Sequence, residues 1–553
     1  MTKWIEADAE GVATILASGN NYLIKRREVP TDSVVMPCVT QRRLKVDPAT
    51  GAPTAFKSRH CVDGRRQAQI HSEKGIPSAA CHSTNLHLLT MFMMVASAAA
   101  DSAATRRELA ALDVVGAYPK AKKGNRPITY MALPSSTPQV DEAGDKLCIA
   151  CNDPVWGEGP SGNEWQRDLA ASLTSIGYAP CEAVPALWAV PRLDDKISVV
   201  GTLVDDMLIV NEPGATDPGG DVRRGLEARY GEGEIKYSRN PTSFNGFKFV
   251  YRPNGAISVS CPLKLREASL AHLGETPQAS DFLCGGKLRR ALSDLVIEPA
   301  PVEGRYVLSA EGRSFNAVLG DLRWPAHVDP SLALACSILS CVASRPPPGS
   351  LLVARSVLFA ACVNAERGVT YGGGIGAPQR PVSDAPFIFS LGETRFVDLV
   401  GFADAGWGSP KGDRLGSAIV CNGGMVLAES TKFPFAVASS TESEGLAVAR
   451  VARGLLHARE IGIVLGIVDP EHPTLLVCDN KQTVDIINGS CGPRRIKHAM
   501  RRFVITMQRV ADGLLTLSHV PDADNPVDFL TKWIPSAKFK ASVDYLCGVD
   551  GHG

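Results

Sequence analysis

The residues best suited to chemistry are four carboxylates in the last third of the chain. Asp404 (in LVGFADAGWG) and Asp479 (in TLLVCDN) each end a short apolar, β-branched run, which predicts strand residues whose side chains emerge at a sheet edge. Glu444 and Asp528 each begin a helix-compatible segment. Acids placed in this way can hold two divalent cations about 3.5–4 Å apart, which would stabilise the attacking water and the leaving oxygen of a phosphodiester. The alternative for any single acid is a solvated loop carboxylate.

Two neighbouring glutamates, Glu442 and Glu444, compete for the metal-facing position. They are two residues apart, so on a helix their side chains point about 200° apart and cannot both face one site. Helical steps from Glu444 reach an apolar stripe formed by Val448, Val451, Ala452 and Leu455. The same steps from Glu442 reach mostly polar residues, which predicts that Glu444 faces the sheet and Glu442 faces solvent. The alternative for Glu444 is a capping box with Thr441, because the pair has the T-x-x-E spacing.

A second set of carboxylates lies in the first half of the chain. Asp205 and Asp206 interrupt the apolar run TLVDDMLIV, a pattern typical of a β-hairpin whose tight turn carries both acids. Upstream, Asp113 lies in ALDVVGAYPK, where an apolar strand reaches a turn. Asp113 and one or both turn aspartates could hold two Mg²⁺ ions around a nucleoside triphosphate, with Mn²⁺ as a substitute. The alternative is an ordinary Asp-rich hairpin turn.

Two segments rich in glycine or proline divide the chain. The Gly/Pro-rich segment Gly372–Pro386 precedes the block that carries Asp404 and is predicted to be a linker. The segment Arg345–Ser350 (RPPPGS) separates two apolar segments, Leu332–Val342 and Leu351–Ala365, which are predicted to form a pair of helices. Short β-rich runs mixed with helical segments before residue 260 indicate an α+β arrangement, and 553 residues are enough for three or four domains.

The bulk composition is that of a globular protein without a global charge field. Lys+Arg and Asp+Glu both number 58, so nucleic-acid binding would depend on local basic patches. The 15 cysteines are scattered and no secretory signal is recognised, which predicts reduced thiols and an intracellular location, in the cytoplasm or the nucleus. Cys148 and Cys151 form a lone CxxC that is predicted to be structural. The apolar run Leu88–Ala100 is too short to span a bilayer and is predicted to be a buried helix.

The last third of the chain resembles the ribonuclease H domain of copia-type LTR retrotransposons. The family's DADW, DR, SSTEAEY, CDN, KH and ADILTK motifs recur in order over residues 395–535. They are found here at Asp404–Trp407, Asp413–Arg414, Ser439–Glu444, Cys478–Asn480, Lys497–His498 and Val527–Lys532. The resemblance implies that the four carboxylates are catalytic metal ligands and that two further residues, Lys497 and His498, bind the substrate.

The first half resembles the reverse transcriptase of the same elements. The family's DVKTAF and YVDD motifs correspond to Asp113–Tyr118 and Leu203–Asp206, and its YKARLVARGFTQ motif resembles Phe56–Gln67. Weaker similarities extend the resemblance from about residue 4 to about residue 548. The resemblance implies that Asp113, Asp205 and Asp206 bind metal ions and are catalytic. It also implies that Lys57 and Arg59 bind the triphosphate and that Tyr118 contacts the nucleotide sugar.

The resemblance also implies an architecture and an activity. A right-hand polymerase would be followed by a ribonuclease H-like fold with a mixed central sheet, in a protein that combines α+β and α/β domains. The expected boundaries are 1–250 for fingers and palm, 251–390 for thumb, connection and linker, 391–540 for the ribonuclease H-like domain and 541–553 for a tail. The expected activity is RNA-directed DNA polymerase with ribonuclease H, using two Mg²⁺ ions per site. The expected partners are an RNA template, a DNA primer, an RNA–DNA hybrid and deoxynucleoside triphosphates, without a membrane and with the oligomeric state left open.

The chain departs from the family in the polymerase region. The family's LYGLKQAPRAW loop is VWGEGPSGNEW here, so that Gly159 and Pro160 replace Lys and Gln and Glu158 is an added acid. Leu203 replaces the tyrosine of YVDD. These changes favour an alternative, a co-opted or decayed retrotransposon-derived protein that binds nucleic acid and has weak or no polymerase activity. In one form of this alternative, the nuclease activity is retained. The presence of all seven carboxylates argues against long decay.

Overall fold

The computed structural model describes residues 2–46, 53–73, 85–125, 127–190, 198–274, 286–299, 307–372, 396–408, 412–492 and 500–549. The chain divides into two compact units. The first unit comprises Met1–Leu86, Ala110–Ile209 and Asp217–Arg239, and the second comprises His87–Leu109, Val210–Thr216 and Asn240–Gly553. Helices and strands are interleaved along the chain, so the mixed α+β architecture predicted from the sequence is confirmed.

Fifteen α-helices occur in the described ranges. They are α1 (Thr2–Leu16), α2 (Gly64–Glu73), α3 (Leu88–Ala98), α4 (Ala117–Lys120), α5 (Ser161–Ser175), α6 (Gly220–Tyr230), α7 (Pro262–His272), α8 (Gly286–Asp294), α9 (Ala310–Arg323), α10 (Ala333–Val342), α11 (Ser350–Val363), α12 (Ser440–Val464), α13 (Lys481–Ile487), α14 (Met500–Ala511) and α15 (Ser536–Leu546).

The strands of the described ranges form four larger sheets and one separate hairpin. They are β1 (Tyr22–Lys25), β2 (Val35–Met36), β3 (Cys38–Val46), β4 (Pro53–Val62), β5 (Glu108–Val114), β6 (Thr129–Ala132), β7 (Leu147–Cys151), β8 (Ala179–Pro180), β9 (Leu187–Ala189), β10 (Ser198–Leu203), β11 (Asp206–Asn211), β12 (Ile235–Arg239), β13 (Ser243–Phe244), β14 (Phe247–Tyr251), β15 (Ile257–Ser260), β16 (Gly368–Tyr371), β17 (Leu399–Gly406), β18 (Arg414–Cys421), β19 (Gly424–Lys432), β20 (Thr474–Cys478) and β21 (Leu515–His519).

The first unit is built around a six-stranded sheet with the order β12-β5-β11-β10-β9-β8. The predicted hairpin is present as β10 and β11, and β5 lies beside β11 in the sheet. Helix α5 covers this sheet with an apolar face, and its Trp165, Leu169 and Leu173 share one core with Met207 and Ile209 of β11. Burial of each such side chain contributes about 1.5–3 kcal/mol, so this core fixes the position of the hairpin turn.

A separate hairpin of β3 and β4 lies against α1 in the same unit. The carboxylate of Asp8 in α1 is fully buried, and Arg42 donates to its Oδ2 at 2.6 Å. His60 Nε2 lies 2.8 Å from the carbonyl oxygen of Asp8, which adds a second link between α1 and β4. Lys57 and Arg59 stand two residues apart on β4, so both side chains leave the same face of the hairpin.

The second unit contains a five-stranded mixed sheet with the order β19-β18-β17-β20-β21. β17, β18 and β19 pair antiparallel, whereas β20 pairs parallel with both β17 and β21. Helix α12 crosses this sheet and buries the stripe predicted from the sequence, namely Val448, Val451, Ala452 and Leu455. The mixed sheet predicted for the C-terminal region is therefore observed.

The second unit also contains a sheet of β13 to β16 and a cluster of helices, α7 to α11, around a shared apolar core. Helices α10 and α11 are the predicted pair, and Gly349 precedes α11 with a φ of 80°. The apolar run Leu88–Ala100 contains the buried helix α3, as predicted. Within the described ranges, we find no helix that is both long enough and apolar enough to cross a membrane. Most of the predicted linker Gly372–Pro386 lies outside the described residues.

Candidate functional site

Asp404 and Asp479 lie side by side because of the register between β17 and β20. These strands run parallel and pair Ala403 with Cys478, so the next residue on each strand is one of the two aspartates. Asp404 is 3% exposed. Burial, followed by the negative charge of Asp528, raises the pKa of Asp404 to about 7. The pKa of Asp479 is also raised, mainly by burial.

Glu444 faces the same end of the sheet from the first turns of α12, as the helical count predicted. The backbone N–H of Ala405 donates to Glu444 Oε1 at 3.3 Å, and the thiol of Cys478 donates to Oε2 at 3.7 Å. Burial and then the charges of Asp404 and Asp479 raise the pKa of Glu444 well above its ordinary value. The glutamate is therefore directed at the two strand aspartates.

Asp528 begins a short 3-10 turn, Asp528–Leu530, that packs on β18. The turn lies against a glycine of that strand, since a Cβ at Gly416 would come within 2.9 Å of Leu530 Cβ. Thr531 then donates a short hydrogen bond to Asp404 Oδ2. Asp528 is 1% exposed, and its buried Oδ1 accepts no hydrogen bond but lies 3.4 Å from the ammonium nitrogen of Lys532.

Asn525 connects the parts of this site. Its side-chain amide donates to Asp479 Oδ2 and to the carbonyl oxygen of Ala403, both at 3.1 Å. Its own carbonyl oxygen accepts from the backbone N–H of Val527 at 3.3 Å, just before Asp528. Asn525 and Thr531 were not predicted as site residues. Only their position beside Asp528 in the sequence could have suggested them.

The four carboxylates can share metal ions. Ligand oxygens of Asp404, Asp479 and Asp528 lie within 4.8 Å of one another. Glu444, Cys478 and Asp479 form a second group on the same criterion, so Asp479 belongs to both. Hard cations such as Mg²⁺ prefer oxygen ligands, and Asp528 Oδ1, which has only a loose ion pair with Lys532, is an acceptor of that kind. The arrangement can hold cations that offset the mutual repulsion of the acids.

The prediction that Glu442 faces solvent is wrong. Glu442 is 4% exposed, and its Oε2 accepts from the backbone N–H of Ala438 at 3.0 Å. Ser439, the N-cap of α12, accepts from the backbone N–H of Glu442 at 3.2 Å. The reciprocal cap therefore joins Ser439 and Glu442 rather than Thr441 and Glu444, and the S-x-x-E spacing in the sequence was its signal. A helical count fails here because the incoming chain folds over the first turn.

The predicted polymerase carboxylates also come together, in the first unit. Asp113 lies on β5, Asp205 in the hairpin turn and Asp206 at the start of β11. The backbone N–H of Val114 donates to the carbonyl oxygen of Asp205 at 3.0 Å, and Val204 enters the turn with a φ of 57°. Burial, then the charges of Asp205 and Asp113, raise the pKa of Asp206 to about 6.

Two cationic side chains and one aromatic ring lie near these three acids. Lys236 is directly opposite Asp113 in the pairing of β12 with β5, and its ammonium makes a short ion pair with Asp113. The pKa of Tyr118 is raised by burial and then by the charge of Asp205, with Arg59 acting in the opposite direction. Tyr118 and Arg59 therefore lie close enough to Asp205 to interact electrostatically with its carboxylate.

The structure describes Lys57 and Arg59 among the remaining predicted binding residues, but not the other two. Lys57 is exposed on β4, and Arg59 lies with its guanidinium 6.0 Å from the ring of Trp156. Lys497 and His498 lie outside the described residues. The added acid Glu158 is buried and accepts from Val155 N and Ser161 Oγ, at 3.2 and 3.0 Å. Glu158 therefore stabilises its own loop.

Comparisons with known proteins find sequence similarity to a retroelement polyprotein and structural alignments with ribonucleases H. No family model matches the chain. A segment of 145 residues is 26% identical to the retrovirus-related Pol polyprotein from transposon TNT 1-94 of Nicotiana tabacum. That segment is 26% of this chain and only 11% of the polyprotein, so the match spans about a tenth of the curated relative.

Solved ribonuclease H structures align with about a quarter of the chain. Ribonuclease H1 from the halophilic archaeon Halobacterium salinarum NRC-1 is 18% identical with a TM-score of 0.19, and the alignment covers 24% of this chain and 94% of that one. LC11-RNase H1 in complex with an RNA/DNA hybrid is 17% identical with a TM-score of 0.20, again over 24% and 94% of the two chains.

Proposed function

We propose that the region 391–540 is a metal-dependent ribonuclease H that cleaves the RNA strand of an RNA–DNA hybrid. The observation that carries this proposal is the convergence of Asp404, Glu444, Asp479 and Asp528 at one end of a mixed sheet. The order of the motifs and the similarity to a retrotransposon Pol polyprotein support it. The region that follows, 541–553, would be a tail.

The residues of the site suit two-metal hydrolysis of a phosphodiester. Divalent cations, Mg²⁺ or Mn²⁺, would activate a water molecule and stabilise the leaving oxygen. Asp404 and Asp479 offer ligand oxygens at adjacent strand positions, while Glu444 and Asp528 approach from α12 and from the 3-10 turn. Thr531 and Asn525 fix the orientation of the two strand aspartates through hydrogen bonds.

The test is cleavage of a hybrid whose RNA strand is labelled. Purified protein with Mg²⁺ should cut RNA in the hybrid and leave the same RNA uncut when it is single-stranded. Asp479→Asn protein, purified in parallel, should not cut, which excludes a contaminating nuclease. Cleavage of the hybrid without a divalent cation, or equal cleavage by the Asp479→Asn protein, would refute the proposal.

We also propose a second activity, RNA-directed DNA polymerisation, for the regions 1–250 (fingers and palm) and 251–390 (thumb, connection and linker). The convergence of Asp113, Asp205 and Asp206 favours it, with Arg59 and Tyr118 close to Asp205. The substrates would be an RNA template, a DNA primer and deoxynucleoside triphosphates. Primer extension on an RNA template with Mg²⁺ tests this activity, and its absence alongside active hybrid cleavage would favour the alternative of a decayed polymerase with a retained nuclease.

A further inference from the structure

Lys532 lies at the edge of the carboxylate cluster that contains Asp404 and Asp528. It follows Thr531, whose hydroxyl is bound to Asp404. Its ammonium nitrogen is 3.4 Å from Asp528 Oδ1 and 3.5 Å from Asp522 Oδ1, and its side chain is 50% exposed. Lys532 therefore reaches both the buried acids and the solvent from which a substrate arrives.

A second lysine on the same carboxylate shows a different geometry. Lys538 Nζ lies 2.5 Å from Asp528 Oδ2 and donates to the carbonyl oxygen of Asp522 at 2.5 Å, and its side chain is 24% exposed. These are close, directed contacts that fix the turn. The contacts of Lys532 are longer than an N–H···O hydrogen bond of about 2.7–3.2 Å, so they hold its ammonium less closely than those of Lys538.

The charge of Lys532 is coupled to the metal-binding acids. Its ammonium forms ion pairs with Asp528 and Asp522, and a lysine side chain is ordinarily positively charged at neutral pH. A cation held by Asp528 would repel this ammonium, so the two positive charges would compete for the same carboxylate.

We propose that Lys532 binds the scissile phosphate of the RNA strand and supplies part of the positive charge that the metal ions otherwise provide. This inference rests on the proposed nuclease function and adds a contact between the site and its substrate. It has two opposed consequences for a variant that lacks the charge. The phosphate is bound more weakly, whereas divalent cations bind more tightly because a competing positive charge has gone.

The experiment compares Lys532→Gln and Lys532→Arg with Lys540→Gln, which removes the charge of an exposed lysine on α15. Affinity for a short RNA–DNA hybrid is measured by fluorescence anisotropy over a range of KCl, with Ca²⁺ in place of Mg²⁺. One lost phosphate contact should reduce the slope of log affinity against log salt by about 1 for Lys532→Gln. Lys532→Arg and Lys540→Gln should keep the slope of the unchanged protein.

A second measurement separates a phosphate contact from a merely structural role. Mn²⁺ binding without nucleic acid, followed by the electron paramagnetic resonance signal of the free ion, should be tighter in Lys532→Gln. An unchanged salt slope, or weaker Mn²⁺ binding, would overturn the inference. Failure of the unchanged protein to cleave the hybrid in Mg²⁺ would instead remove the proposed function, and the salt slope would still decide whether Lys532 contacts phosphate.

Discussion

The two carboxylate sites of this protein are held together in different ways. In the second unit Asp404 and Asp479 are oriented by the neutral donors Thr531 and Asn525. The third buried aspartate, Asp528, is paired with the ammonium groups of Lys532 and Lys538. In the first unit Asp113 is a third exposed and is paired with the ammonium of Lys236. Neutral donors leave the negative charge of an acid available to cations, whereas a lysine already neutralises part of it. In the proposed nuclease site the lysines pair with one acid, Asp528, and the two aspartates that follow β17 and β20 keep neutral donors. In the proposed polymerase site, metal binding by Asp113 would have to displace the ammonium of Lys236.

The largest expected effect tests whether the two sites act independently. Asp479→Asn should abolish hybrid cleavage and leave primer extension unchanged, because the substitution removes a metal ligand of one unit only. Asp205→Asn should abolish any primer extension and leave cleavage intact. Both activities are measured on the same preparations, with circular dichroism as the control for folding. Loss of both activities in a folded single variant would show that the sites are not separate.

The next effect distinguishes the two glutamates at the start of α12. Glu444→Gln should lower kcat for cleavage by orders of magnitude with little change in Tm, since the amide keeps the shape and loses the charge that binds metal. Glu442→Ala should leave the metal ligands in place and lower the stability by about 0.5–2 kcal/mol, because it removes a helix cap. Thermal melting and single-turnover cleavage measure the two effects. The reverse pattern would make Glu442 the ligand.

A smaller effect concerns nucleotide choice in the first unit. Tyr118 lies near Asp205, where an aromatic ring could exclude a ribose 2′-hydroxyl by steric contact. Tyr118→Val should therefore raise the incorporation of ribonucleotides relative to deoxyribonucleotides several-fold. Primer extension with each nucleotide measures the ratio, and Tyr22→Val, on the exposed strand β1, is a matched control. An unchanged ratio with measurable extension would exclude the steric role.

The smallest effect is a pH-dependent response of Tm to Mg²⁺. The pKa of Asp404 is raised from 3.8 to about 7, so the folded protein binds a proton that the unfolded chain has released. Stability without metal should consequently fall as the pH rises from about 4 to 7. Because protons compete with cations for this carboxylate, Mg²⁺ should raise Tm by several degrees at pH 8 and by less at pH 6. Differential scanning fluorimetry measures the shift, which should depend less on pH in Asp404→Asn, where Glu444 and Asp479 keep raised pKa values at this site. A shift that is equal at both pH values in the unchanged protein would contradict the assignment.

The parts of the site that could be predicted from the sequence depend on local patterns. The β-branched runs before Asp404 and Asp479 place both at strand ends, and the apolar stripe of α12 directs Glu444 to the sheet. The burial of Glu442 does not follow from helical periodicity, because it depends on the path of the chain before the helix, and the S-x-x-E spacing was its sequence signal. The contacts of Asn525 and the pairing of Lys236 with Asp113 depend on which strands become neighbours, and periodicity does not specify that.

The hydrogen bond between Thr531 and Asp404 has a consequence for the time at which the proposed nuclease site can be completed. Its two residues are 127 positions apart in the chain. At a synthesis rate of about 5–20 residues per second, the ribosome needs roughly 6 to 25 s to make the segment between them. During that interval Asp404 has been made but its hydrogen-bond partner has not. The proposed cleavage site can therefore be completed only late in synthesis, after Asp528 and Thr531 have been added to the chain.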